Sequence, residues 1–425
     1  MKKKRFLTTL AAAALAASML SALPASAENY DSTKWATGSS TTLKKYLVID
    51  KDAIVPTATF TYSIAPGEAV NYSGTDTIAA YAGVGADTGN KLITISSASF
   101  TSASATTAGA ADDGITNSTD KKYASADFTL DFKDVKFKEP GVYRYVLTET
   151  GAGTTDNLGA GISHVGNYQK TLDVYVTDDD GTLAVDKYIL YNSIIDAAPA
   201  ISNDEQLNSK VDRRSTTNTA KTDGFVNEYS SQSLSFAKRV TGNQGSKDKY
   251  FKFTVTITNA SGATLNINGD KSNFEKTTSE NSATVYTTAD MNAANAIDQN
   301  TTITGQQLVI NDDTASYDFY LQDGQYVTLD GLPKGAKYTV AEEAEEYTSS
   351  PAKTTSIEIG TKTFADAVTG DIEDDDVATG FTNNKDGTIP TGVILSIAGP
   401  AVVGLAVIGG LIFMIIKRKK EDSED

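Results

Sequence analysis

The sequence predicts an all-β protein: two tandem β-sandwich domains, with an N-terminal signal peptide before them and a C-terminal transmembrane helix after them. Three observations predict it: many short runs alternate apolar and polar residues, one ordered set of motifs occurs twice, and long apolar segments are confined to the two ends. Alternation with period two is the mark of a half-buried strand, and many short strands separated by Gly- and Asp-rich turns point to sandwiches.

The chain opens Met1-Lys2-Lys3-Lys4-Arg5, followed by an apolar run from Phe6 to Leu23 and then Ala25-Ser26-Ala27. A basic head, a short apolar stretch and a small-x-small site make a secretory signal over 1–27, cut after Ala27. Strands are expected over Leu43–Ile49, Thr59–Ile64, Val142–Leu147, Thr171–Val176 and Phe251–Ile257. The Ala/Gly/Ser/Thr-rich stretches 101–119, 151–161 and 196–220 read as solvated loops. Near the other end, 393–416 is an apolar segment long enough to span a bilayer, and Lys417-Arg418-Lys419-Lys420 follows at once. By the positive-inside rule the tail 417–425 stays cytoplasmic, so the chain is exported and held by its C-terminus.

The repeat sets the domain organisation. Leu43-x-Lys45-x-Leu47 is echoed by Leu234-x-Phe236-x-Lys238-x-Val240, Tyr145–Glu149 by Tyr338–Glu342, and Phe225-Val226-Asn227 by Phe381-Thr382-Asn383. The spacing from Lys45 to Glu149 is 104 residues, and so is that from Lys238 to Glu342. Three motifs in the same order, the first two at the same spacing, read as two copies of one domain, 28–230 and 231–387, with little room for a linker between them.

Composition removes several functions. The 425 residues include no cysteine, so there is no disulfide framework, thiolate metal site or cysteine nucleophile. A single histidine, His164, leaves no cluster for zinc; it sits in a polar Gly-Ile-Ser-His-Val-Gly run read as a turn without function. With 37 Lys+Arg against 54 Asp+Glu, nucleic acid is not an expected partner. The acidic run Asp371–Asp376 lacks an alternating calcium loop and reads as solvated, so neither a metal nor a cofactor is expected.

Alternation has a chemical consequence. If Leu43, Leu47 and Ile49 face the core, so does Lys45, and by the same rule Lys238, Asn227 and Asn383 point inward. A buried lysine must be neutralised, paired or consumed. The bland reading is a Lys–Glu pair or an outward-snorkelling side chain. The sharper one is an intramolecular isopeptide bond in each copy. Burial depresses the lysine and raises the glutamate, so that a neutral amine attacks an asparagine carbonyl polarised by a protonated carboxyl and ammonia leaves. The residues are Lys45, Glu149 and Asn227 in the first copy and Lys238, Glu342 and Asn383 in the second, with Lys44 as an adjacent alternative to Lys45. Each bond would join the first strand of its domain to the last. Such chemistry turns over once, so no conventional enzyme is expected.

The runs Leu234–Gly242, Leu332–Glu342 and Phe381–Lys385, with Glu139-Pro140-Gly141-Val142-Tyr143-Arg144-Tyr145 in the first copy, closely resemble Gram-positive backbone pilins of the T-antigen (FctA) type, over essentially the whole mature chain. The resemblance implies two immunoglobulin-like domains, each with a Glu-assisted Lys–Asn isopeptide bond on the residues just named. It also gives meaning to Thr388-Ile389-Pro390-Thr391-Gly392, which lacks the spacer of the usual Leu-Pro-x-Thr-Gly sorting signal. By analogy a pilin-class sortase cuts between Thr391 and Gly392 at the motif 388–392 and holds Thr391 until an amine of the next subunit resolves it. Lys221 is the first candidate for that amine and Lys210 the second; a surface lysine without a role is the alternative for either. The implied partners are the sortase, identical subunits in a covalent fibre and minor pilins, with a host surface ligand as a further candidate. The membrane is met only through the C-terminal segment before sorting, and the destination is the cell wall and surface pilus. The competing reading is a monomeric wall-anchored adhesin built from the same domains.

Overall fold

The computed structural model describes residues 32–387, apart from 72–78, 110–118, 152–157, 197–220, 271–272, 277–301, 344–345, 352–356, 360–361 and 365–367. The signal segment, the motif Ile389–Gly392, the segment 393–416, the tail and Lys210 lie outside the described residues. Among the described residues no helix is long and apolar enough to cross a membrane.

The described chain is all-β and forms two immunoglobulin-like sandwiches. The first uses β1 (Ser40–Asp50), β2 (Ala58–Pro66), β3 (Lys121–Asp131), β4 (Gly141–Thr150), β5 (Ile162–Val165), β6 (Gln169–Asp179), β7 (Thr182–Tyr191) and β8 (Gly224–Tyr229). One sheet runs β5-β8-β1-β3 and ends on Thr94–Ile95; the other runs from Lys221–Thr222 through β7-β6-β4-β2 to Ala98–Phe100. The second sandwich uses β9 (Ser231–Thr241), β10 (Phe251–Thr258), β11 (Thr264–Asp270), β12 (Thr314–Leu321), β13 (Tyr326–Pro333), β14 (Lys337–Glu342), β15 (Thr348–Pro351), β16 (Thr369–Asp371) and β17 (Val377–Asn384). Its sheets run Thr302–Val309, β11-β13-β9-β17-β15 and Asn273–Lys276, β12-β10-β14-β16.

The duplication read from motifs recurs in the connectivity. The order β5-β8-β1-β3 has its counterpart in β15-β17-β9-β13, and β6-β4-β2 in β16-β14-β10. All five predicted strands are present, each one to three residues longer at one or both ends than its periodic run, save that β10 begins at Phe251 as read. The stretch 101–119 is corrected at Thr106–Ala108, three exposed residues that pair with β3.

Inward-facing residues of both sheets fill each interior. Phe128, Phe132, Tyr145, Leu147, Leu172 and Val174 are fully buried in the first sandwich, and Phe236, Phe253, Val255, Phe319, Val327 and Leu329 in the second. Each such side chain contributes roughly 1.5–3 kcal/mol on leaving water. Only Ser230 separates β8 from β9. Across this junction Ser230 N–H donates to the Gly161 carbonyl, Tyr229 Oη to Gly331 O, both at 2.9 Å, and Thr57 N–H to Gly262 O at 2.8 Å.

In each sandwich the first and last strands lie side by side and parallel. β1 pairs with β8 in the register Lys45↔Phe225 and Leu47↔Asn227; β9 pairs with β17 in the register Lys238↔Phe381 and Val240↔Asn383. The chain reaches this close approach through Gly224, where a Cβ would collide with the Lys44 carbonyl.

Candidate functional site

The same two-residue offset recurs in both copies: the lysine stands opposite a phenylalanine, and the asparagine lies two residues farther along the last strand. Residues two apart share a face, so lysine and asparagine are diagonal neighbours on adjacent strands, within reach of a long side chain. Lys45, Lys238, Asn227 and Asn383 are all 0% exposed. Lys44, the alternative, points the other way and pairs at the surface with Asp127 at 2.5 Å.

The glutamates come from the opposite sheet. Glu149 near the end of β4 and Glu342 at the end of β14 reach across the interior. Lys45 Nζ stands 2.7 Å from Glu149 Oε1, with both side chains fully buried, and Lys238 Nζ makes the equivalent ion pair with Glu342. The asparagines differ. Asn383 Nδ2 donates to Glu342 Oε1 at 2.9 Å, whereas both amide atoms of Asn227 are buried without a hydrogen-bond partner. A buried polar group left unsatisfied costs on the order of 1–3 kcal/mol, so the Asn227 amide is held in an unfavourable state by the surrounding fold.

Two aromatic positions complete each pocket. Lys45 Nζ lies 4.2 Å from the centre of the Phe60 ring and Lys238 Nζ 4.3 Å from that of Phe251. Phe60 stands two residues before Tyr62, which is registered to Glu149, and Phe251 two before Phe253, which is registered to Glu342. The rings shield the amine from water while offering a π face. The signal for them lay in the sequence, as Phe-x-Tyr and Phe-x-Phe in the second strand of each copy.

Burial pushes both lysines down to about 8, outweighing the opposing pull of Glu149 and Glu342 respectively. The expectation that burial would also raise Glu149 is corrected. Burial does push it up, but the Lys45 charge, the His164 imidazole 3.1 Å from Oε2 and the Lys45 contact together hold it below the ordinary carboxylate range. The resting pair is therefore ionic, and the neutral amine arises by moving one proton across the 2.7 Å contact. A desolvated interior favours that exchange because it removes two charges at once.

His164 is a second correction. It lies on β5, an edge strand, registered to Asn227 across β8, and its Nδ1 stands 3.1 Å from Glu149 Oε2. A further buried cation was also missed. Lys170 on β6 donates to Asn192 Oδ1 at 3.1 Å and to Gly224 O at 2.8 Å, and burial pushes it down to about 7.

Lys221 is placed away from both pockets, in the two-residue strand paired with the end of β7. It is half-buried, and burial followed by the charge of Lys187 lowers it. Within the acidic run, Asp371 and Asp374 pair with Lys337 and Lys334 at 2.7 and 2.5 Å.

Residues 42–230 match the FctA family, described as a Spy0128-like isopeptide containing domain, and residues 232–385 match DUF7601, a domain of unknown function. The chain is 27% identical over 400 residues to a protein named Pilin from Streptococcus pyogenes serotype M1, covering 90% of this chain and 91% of that one. Among solved structures it is similar to the major pilin from Streptococcus pyogenes, at 22% identity over 82% of this chain and 99% of the other, with a TM-score of 0.44. It is also similar to the major pilin protein T3.2 of serotype GAS13637, at 18% identity over 84% and 100%, with a TM-score of 0.42.

Proposed function

We propose that this chain is a pilin of the FctA type and the shaft subunit of a covalent pilus, each of its two domains stapled by a self-formed Lys–Asn bond; the match of residues 42–230 to the FctA family and the likeness to a streptococcal pilin support this reading. The observation that carries the staple is the pair of fully buried lysines, each on a carboxylate and each diagonal to a buried asparagine on the neighbouring last strand. The domain division at 230/231 and the role of each residue belong to this proposal.

In the first domain the Lys45 ammonium passes a proton to Glu149, and the free amine attacks Asn227 Cγ. The Nζ–Cγ bond forms, the Cγ–Nδ2 bond breaks, and Nδ2 departs as ammonia with one proton that left Nζ and travelled through the carboxyl, while the second proton lost by Nζ stays on Glu149 as a neutral carboxyl. The same steps run through Lys238, Glu342 and Asn383. Glu149 and Glu342 thus act as proton carriers and as polarising donors to the amide oxygen, and the product consumes an asparagine amide that is otherwise unsatisfied in the first domain. The chemistry occurs once per domain, in keeping with a structural subunit rather than a turnover enzyme.

Polymerisation is the second part of the proposal. A pilin-class sortase cleaves after Thr391, and Lys221 of the next subunit resolves the acyl-enzyme. The lowered ammonium of Lys221, three residues before β8, supports its choice as the amine. Tension entering near Lys221 and leaving beyond β17 then crosses sandwiches whose first and last strands are joined. Minor pilins, wall attachment and any host ligand follow from the same reading. Boiled, reduced cell-wall extracts are expected to show a ladder of regularly spaced bands on an antibody blot, collapsing to the monomer in Lys221→Arg. A single band from the native chain would favour the wall-anchored adhesin, and an intact ladder in Lys221→Arg would exclude that lysine.

A further inference from the structure

The two pockets share a lysine, a glutamate, an asparagine and a phenylalanine, and in the first a histidine that reaches solvent also meets the glutamate. In the first domain Glu149 Oε1 faces Lys45 at 2.7 Å, while Oε2 meets His164 Nδ1 at 3.1 Å. The His164 side chain is 20% exposed where that of Glu149 is 0%, so the imidazole connects a sealed carboxylate to the outside. Its ring packs 5.3 Å from that of Tyr168, whose carbonyl accepts the Glu149 N–H at 2.9 Å, which ties imidazole and carboxylate to one backbone segment. At the corresponding register position opposite Asn383 the second domain has Ser349.

Stoichiometry shows what such a connection can do. An ion pair of ammonium and carboxylate that condenses with an amide yields the isopeptide, ammonia and one surplus proton. That proton stays on Glu149, whose buried carboxyl ends neutral once the lysine charge is consumed, so what the connection can set is the orientation of that carboxyl. We propose, resting on the isopeptide reading above, that His164 is a positioning residue of the first domain, which orients the Glu149 carboxyl for the Lys45–Asn227 condensation through the Nδ1–Oε2 contact. The Lys238–Asn383 condensation of the second domain does not involve His164, so the chain carries its own control.

The test follows both bonds in one chain. Full-length native chain, His164→Gln and His164→Ala are made in a short cell-free burst, chased, quenched in acid and digested, and the two cross-linked peptides are quantified by mass spectrometry against time. The expected result is a Lys45–Asn227 bond slowed at least about tenfold in both variants, a floor below the ~10²–10⁴ of a direct acid–base group. The Lys238–Asn383 bond should keep its native rate, and free imidazole should restore the first bond in His164→Ala. A native rate in His164→Gln, equal slowing of both bonds, or slowing that imidazole leaves unchanged would each overturn the role given to His164. Absence of both bonds from the native chain would instead overturn the isopeptide reading itself.

Discussion

Replacing Asn227 by alanine isolates the contribution of the first staple. Other substitutions in the triad carry side effects: Lys45→Ala would leave the Glu149 carboxylate buried without its cation, a cost of about 3–5 kcal/mol unrelated to any bond. The Asn227 amide has no hydrogen-bond partner in the unlinked arrangement, so its removal sacrifices little besides the link. The bond from 45 to 227 closes a loop of 182 residues. By the chain-entropy relation for a cross-link, closure on that scale contributes about 5 kcal/mol. For a domain of this size each kcal/mol moves the midpoint by about 2–4 °C, so the first domain of Asn227→Ala should melt about 10–20 °C lower. Differential scanning calorimetry reads the two domains as separate transitions, and the second serves as the reference. Intact mass confirms that the variant lacks one linkage. If the first transition moved by less than about 2 °C while the native chain carried the bond, chain closure would not be what stabilises the sandwich.

Glu342→Gln keeps the shape of the side chain but neither takes nor gives the proton, so the second linked peptide should vanish while the first forms normally; both peptides surviving would remove Glu342 from its role. Asp173→Ala strands the Arg144 guanidinium, which donates from Nε and Nη2 to the two Asp173 oxygens at 2.8 Å inside the first sandwich, and should cost about 3–5 kcal/mol in urea unfolding. Lys170 gives a pH prediction. Its folded value near 7 lies below its ordinary 10.5, so between these the unfolded chain binds more protons and native stability from this group rises with pH. The stability of the native chain relative to Lys170→Met should therefore grow from pH 7 to 10 and stay flat below; a constant difference would mean that Lys170 is not a buried titrating group.

What could be read beforehand was whatever depends on local alternation. Lys45 and Lys238 sit within runs long enough for period two to fix their direction, and the recurrence of their companions identified the pockets. His164 could not be reached this way. Its strand is four residues long, flanked by glycine, and it owes its place to pairing with β8 some sixty positions later. Lys170 was missed because the apolar run begins at Thr171, while the strand itself begins at Gln169 and carries the lysine inward. The protonation of Glu149 was misjudged for a related reason: burial was foreseeable, but the second partner that lowers the carboxyl comes from β5. The order of strands in each sheet depends on contacts across more than a hundred residues, and only the proposed bond between first and last strands hinted at it.

The central claim is a covalent link in each domain, and the mass of the mature chain under denaturing conditions tests it most directly. The account predicts a mass lower than that of the sequence by two ammonias, with digestion yielding one peptide pair joined through Lys45 and Asn227 and another through Lys238 and Asn383. A mass equal to that of the unmodified sequence would contradict it.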